Sequence, residues 1–106
     1  MLNIQGLMKQ AQMMQKKMQE TQTRLAAEER EGSAGNGLVR LTLNGRSEMK
    51  KISIDTSVVD PTDVETLEDL ILAAYNDAHR QIDAMQEEGM KEATGGANFG
   101  GLKIPF

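Results

Sequence analysis

The chain of 106 residues has no cysteine, no tryptophan, a single histidine and only three aromatic residues, Tyr75, Phe99 and Phe106. Without cysteine there is no disulfide framework, no zinc ribbon and no thiol nucleophile, as suits a reducing compartment. His79 stands beside Ala78 on an ordinary amphipathic segment and reads as a packing or surface residue rather than a general base. No G-x-x-x-x-G-K-[ST] phosphate loop is present. The carboxylates Glu65, Glu68 and Asp69 have no histidine in reach and read as a solvated helix start, not a metal site. No enzyme, cofactor, metal or small-molecule substrate is therefore expected. The scarcity of aromatics leaves a core of Leu, Ile, Val, Met and Ala, and no platform on which single-stranded bases would stack. There is no long apolar run, so neither a signal peptide nor a membrane span is expected, and the protein reads as soluble and cytoplasmic.

The clearest positive signal is an alternation. Val39, Leu41 and Leu43 fall on one side of an extended segment, and Arg40, Thr42 and Asn44 on the other. It breaks at Asn44-Gly45 and resumes through Met49, Ile52 and Ile54. Asn-Gly between alternating apolar residues predicts a β-hairpin. Ile52 and Ile54 are in phase with each other but not with Met49, so a bulge near Lys50-Lys51 is expected to reset the register. A lone hairpin is marginal in water. Flanking helices must cover it, and whatever they leave bare needs a partner.

Two long helices flank it. The first is predicted from about Asn3 to about Ala27, where Ile4, Leu7, Ala11, Met14, Met18, Thr21 and Leu25 follow alternating steps of three and four. That is a heptad seam over three repeats. Its methionines read as fillers of an irregular seam, with a pliable surface for partner peptides as the sharper alternative. The last helix is predicted from about Pro61 to about Glu92, with Asp60 as N-cap, Pro61 in the first turn and Thr62 and Glu65 at capping-box spacing. Its apolar stripe is Val64, Leu67, Leu70, Ile71, Ala74, Ala78, Ile82 and Met85. A short charged edge strand is expected between Ala27 and Ser33, and Gly35-Asn36-Gly37 reads as a turn. The fold class is thus α+β, with a small antiparallel sheet of two to three strands between long helices, in a dimer. Residues 1–92 form one dimerising domain, and 93–106 a flexible glycine-rich tail.

The net charge of -4 conceals a division. From Asn3 to Arg24, Lys9, Lys16, Lys17 and Arg24 outweigh Glu20. In the hairpin, Arg40, Arg46, Lys50 and Lys51 outweigh Glu48. From Asp63 to Glu92, nine acids face only Arg80 and Lys91. Local patches, not net charge, decide what a polyanion meets. The four cations of the first helix form a stripe away from the seam.

Leu7-Met8-Lys9-Gln10-Ala11-Gln12, Gly35-Asn36-Gly37-Leu38-Val39, Asn44-Gly45, Ile54-Asp55, Leu67-Glu68-Asp69-Leu70, Asn76-Asp77-Ala78 and the terminal Gly101-Leu102-Lys103-Ile104-Pro105-Phe106 together resemble the YbaB/EbfC family of bacterial nucleoid-associated proteins. Thr56, where the family often has proline, and the charged Glu28-Glu29-Arg30-Glu31 depart from its pattern. The resemblance implies a homodimer whose helices project like tweezers around double-stranded DNA in the nucleoid, possible effects on gene expression included. Lys9, Lys16, Lys17 and Arg24 are then the phosphate-contacting candidates, with Arg40, Arg46, Lys50 and Lys51 secondary. Sequence-specific readout is expected to be poor, since the first helix lacks a recognition-helix pattern. The rival reading is a coiled-coil-like protein interaction module without DNA affinity.

Overall fold

The computed structural model describes residues 3–93. Helix α1 (Ile4–Ala27) starts at Asn3, whose side-chain oxygen accepts the Gly6 N–H at 3.1 Å. The chain then turns into β1 (Glu29–Ala34), β2 (Val39–Asn44) and β3 (Met49–Ile54), passes a 3-10 turn at Thr56–Val58, and closes with α2 (Val64–Ala93). The strands form one antiparallel sheet in the order β1-β2-β3. The α+β arrangement expected from the patterning is the observed one, with three strands. Of the segment expected to be a flexible tail, Ala93 is the buried last residue of α2, and the remainder lies outside the described residues.

Each hairpin solves its turn differently. Between β1 and β2, Asn36 and Gly37 have φ of 58° and 89°, and Leu38 N–H donates to the Gly35 carbonyl at 3.3 Å. Two positive-φ central residues mark the primed turn that suits strand twist. Between β2 and β3, Ser47 N–H donates to Asn44 O at 2.8 Å and Ser47 itself is left-handed, with φ 60°. The tip is therefore a three-residue loop, Gly45 to Ser47, in which Gly45 supplies room. A Cβ there would stand 1.9 Å from the Leu25 carbonyl oxygen. Register confirms the expected bulge: Thr42 pairs with Lys51 and Leu43 with Met49, so Lys50 is the extra residue. Met49 thereby rejoins the face of Ile52 and Ile54.

Val39, Leu41 and Leu43 face Ala74, Ala78, Ile82 and Met85 of α2 in the main core. Gly32 lies against Ala74 and Ala78, and Gly89 against Leu25. Helix α2 therefore retraces the chain in reverse, first over β1 and β2, then onto the end of α1. Its flank also closes the β1 edge. Gln81 Nε2 donates to the Glu31 carbonyl at 2.8 Å, and Ser33 N–H donates to Asp77 Oδ2 at 3.0 Å. The β3 side stays open. Met49 and Ile52, opposite Leu43 and Leu41 on the helix-facing side, are 46% and 43% exposed.

Within one chain the heptad seam is buried only at Thr21 and Leu25, while Ile4, Leu7 and Met14 are exposed. The α2 helix meets Leu25 at Gly89, one turn before its end at Ala93, and nothing else among the described residues runs beside the first half of α1. The start of α2 differs from the sequence expectation, because its cap is displaced from Asp60. Asp63 accepts the Thr66 hydroxyl at 2.6 Å and its N–H at 3.3 Å, and α2 begins at Val64. Asp60 instead closes the preceding turn, accepting from Thr62 N–H at 2.9 Å. A local side chain-to-backbone bond at Asp60-Pro61-Thr62 competes with helix there and wins.

Three turn carboxylates sit below the usual carboxylate range: Glu48 chiefly through the Asn44 amide, Asp55 through Ser57, and Asp60 through Thr62. Such groups stabilise the fold above their unfolded pKa, about 4. That contribution is lost as pH falls through their depressed folded values. Urea midpoints are therefore expected to hold near neutrality and decline on acidification below about pH 4. Flat midpoints across that window would contradict the assigned turn bonds.

Candidate nucleic-acid interface

Among the described residues, helix α1 contacts the body only near its C-terminal end, and its N-terminal half stands clear of them as a rod. With about 100° of rotation per residue, Lys9, Lys16, Lys17 and Arg24 fall within an arc of about 100° on the side away from Leu25. All four are exposed. Among the described residues, no carboxylate pairs with Lys9, Lys16 or Lys17. Arg24 bonds Glu28 at 3.3 Å. An exposed i,i+4 pair of this kind is worth about 0.3–0.5 kcal/mol, so it holds Arg24 loosely. Glu20 is the one acid within the stripe.

Arg30 was not singled out by the sequence pattern. It bonds the same Glu28 at 3.4 Å, so two arginines share one carboxylate where α1 meets β1. Charge counting over the 28–31 stretch hides this, because Glu28, Glu29 and Glu31 outnumber Arg30 there.

The hairpin cations, alike in the sequence, are separated by the fold. Arg40 folds its guanidinium over Gly37, at the β1–β2 turn. Lys51 pairs with Thr42 on the outer face of the sheet, and Lys50 occupies the bulge. Arg46 lies at the opposite end of β2 from Arg40, beside α1. There Gly45 N–H donates to Ala26 O at 3.2 Å, and Gln86 Nε2 donates to Gly45 O. An open groove of about 660 Å³ runs between these elements, walled by Gln19, Gln22, Arg46, Gln86 and Met90.

The acids are placed elsewhere. Asp63, Glu65, Glu68 and Asp69 crowd the start of α2, which lies over the sheet and away from the free half of α1. His79 is stacked on Tyr75, with ring centroids 5.8 Å apart, and its Nδ1 lies 3.3 Å from Asp83 Oδ2. Together with Leu72 it lies on the flank of α2 opposite Asp77 and Gln81, the flank turned toward β3. No group of three metal-ligating side chains occurs among the described residues, and no helix there is long and apolar enough to cross a membrane.

The sequence profile of the YbaB/EbfC DNA-binding family matches residues 1–97. A protein of Granulibacter bethesdensis named as nucleoid-associated is 50% identical over 107 aligned positions, covering all of both chains. One of Paramagnetospirillum magneticum, named likewise, is 54% identical with the same coverage. Among solved structures, an uncharacterized protein of Helicobacter pylori superimposes with a TM-score of 0.69 at 19% identity, over 83% of this chain and 92% of that one. At that identity the superposition speaks for the fold alone.

Proposed function

Because the chain belongs to the YbaB/EbfC DNA-binding family, we propose that it binds double-stranded DNA in the nucleoid as a homodimer, mainly through phosphates and with little sequence preference. The observation that carries this reading is a row of exposed cations on α1: among the described residues Lys9, Lys16 and Lys17 have no ion-pair partner and Arg24 pairs with Glu28 alone. Lysine and arginine that neutralise phosphates supply affinity without reading bases. The free half of α1 carries no carboxylate to oppose them before Glu20. On this reading the protein is a binding protein of the cytoplasm, not an enzyme, and it takes no cofactor.

The dimer contact falls to the β3 side. The β1 edge is already occupied by Gln81 and Asp77, while Met49 and Ile52 on β3, like Leu72 on α2, remain exposed. A two-fold axis lets one such patch cover its own copy, the commonest arrangement of soluble oligomers. Ile52→Asp adds a charge to a side chain that the single chain leaves exposed, so each chain keeps its fold. Its mass in solution is expected to fall from that of two chains to that of one, as read by light scattering. A wild-type chain that is already a compact monomer removes this contact from consideration.

The exposed seam of Ile4, Leu7 and Met14 favours a second reading, a helix that binds partner proteins and no DNA. Duplex binding measured across a salt series separates the two. Affinity that falls steeply with salt supports phosphate contact, and absent or salt-insensitive binding supports the protein-interaction module.

A further inference from the structure

We propose that the groove between α1, the β2–β3 loop and α2 is a further phosphodiester-binding site, with Arg46 as its cation and the Gln19 and Gln22 amides as its neutral donors. The inference rests on the reading of α1 as the DNA-binding helix. Phosphate oxygens only accept hydrogen bonds, so a site for them must present donors and positive charge without competing carboxylates. No acid lines the groove, and Arg46 makes no ion pair among the described residues; its charge acts on Glu48, two residues on, without a salt bridge between them. Two other lining groups are already committed: Thr23 Oγ1 donates to Gln19 O at 3.0 Å, and Gln86 Nε2 to Gly45 O. The Gln19 and Gln22 side chains form no hydrogen bond within the described residues, and each amide nitrogen carries two donors.

Placement argues for a polymer over a small anion. Gln19 follows Lys16 by one turn of α1, so the groove, which Leu25 and Ala26 also line on the other side of the helix from Lys17 and Arg24, adjoins the cation stripe at Lys16. From Lys16 to Thr23 the helix advances about 10 Å. One cation in an open groove holds a lone phosphate weakly. A backbone already bound at Lys16 arrives there at high effective concentration. The walls are also fixed, since the Gly45–Ala26 bond and the Gln86 contact tie the loop to both helices. A guanidinium carried on an anchored loop backbone has less freedom to lose on binding than one on a loose loop.

The test compares Arg46→Gln with Arg80→Gln in the full-length chain, using a short labelled duplex and a salt series. The two changes remove the same charge, one from the groove and one from an exposed position of α2 outside it, so a general electrostatic effect moves both equally. Arg46→Gln is expected to flatten the log–log salt slope by about one per chain and to weaken all sequences alike, while Arg80→Gln leaves the slope unchanged. The Gln19 and Gln22 side-chain amide signals are expected to shift on adding duplex but not on adding inorganic phosphate at the same phosphate concentration. Equal effects of the two arginine changes, no effect of either, or amide shifts with inorganic phosphate alone would each overturn the inference and leave the α1 reading standing. A wild-type chain that binds no duplex even at low salt overturns both together.

Discussion

Neutralising Lys16 and Lys17 together, as Lys16→Gln and Lys17→Gln, is expected to halve the salt dependence of duplex binding. In a dimer, Lys9, Lys16, Lys17 and Arg24 offer eight phosphate contacts, which sets a limiting log–log slope of about -7. Affinity then drops about four orders of magnitude between 50 and 200 mM salt. Removing four of the eight brings the slope to about -3.6 and the drop to about two orders over the same range. Charge reversal at the same positions goes further, because it places acids where phosphates must pass, and binding at physiological salt is expected to vanish. Lys16 and Lys17 are exposed and pair with no carboxylate among the described residues. Helix content, urea midpoint and solution mass should therefore remain as in the wild type. A slope that stays near the wild-type value in the neutralised variant would falsify the assignment of these lysines to phosphates, whatever its effect on affinity.

The largest effect on stability is expected at Gly32. An added Cβ would lie 2.3 Å from both the Ala74 carbonyl oxygen and the Ala78 nitrogen, and 2.6 Å from Ala78 Cβ. The first two are backbone atoms of a helix packed across two strands, so no side-chain rotation relieves the clash. Either α2 lifts from the sheet or β1 bends, and both open the contact among Leu41, Ala74 and Ala78. Overpacking of this kind costs about 1–3 kcal/mol, occasionally more. Backbone opposition places Gly32→Ala at the upper end, about 3 kcal/mol, even after the gain from replacing glycine within a strand. That is a large share of the stability of an ordinary domain. With a urea dependence of about 1.5 kcal/mol per molar, the midpoint moves down by about 2 M. The comparison requires equal chain concentrations, since dimerisation would add to apparent stability. An unchanged midpoint means that α2 does not sit on β1 as described.

Where a pattern is carried by neighbouring residues, the sequence was enough. The hairpin tip, the bulge at Lys50 and the extent of α1 all follow from alternation, turn chemistry and helical spacing. The seam is legible for the same reason only as a shared side: its spacing reports that Ile4, Leu7 and Met14 lie together, and what covers them is not among the described residues of the single chain. The start of α2 is not legible in the sequence, because Asp60 and Asp63 are both competent caps and only the geometry of the Asp60-Pro61-Thr62 turn chooses between them. Of the candidate site, the stripe on α1 was legible since its cations sit on one helix. Arg46 could not be told from Arg40, nor the sharing of Glu28 by Arg24 and Arg30 foreseen, because each depends on contacts between separate elements.

The sequence by itself determined two helices, a hairpin register and a cationic side on the first helix, since all three are periodic and every period is set by backbone geometry. Only the tertiary structure decided that α2 closes the β1 edge and leaves β3 bare, and that the loop at Gly45 carries Arg46 against α1. Those outcomes rest on packing distances between backbones far apart in the chain, such as Gly45 against Leu25 and Gly32 against Ala74. A glycine in the sequence permits such an approach but does not name the segment that makes it.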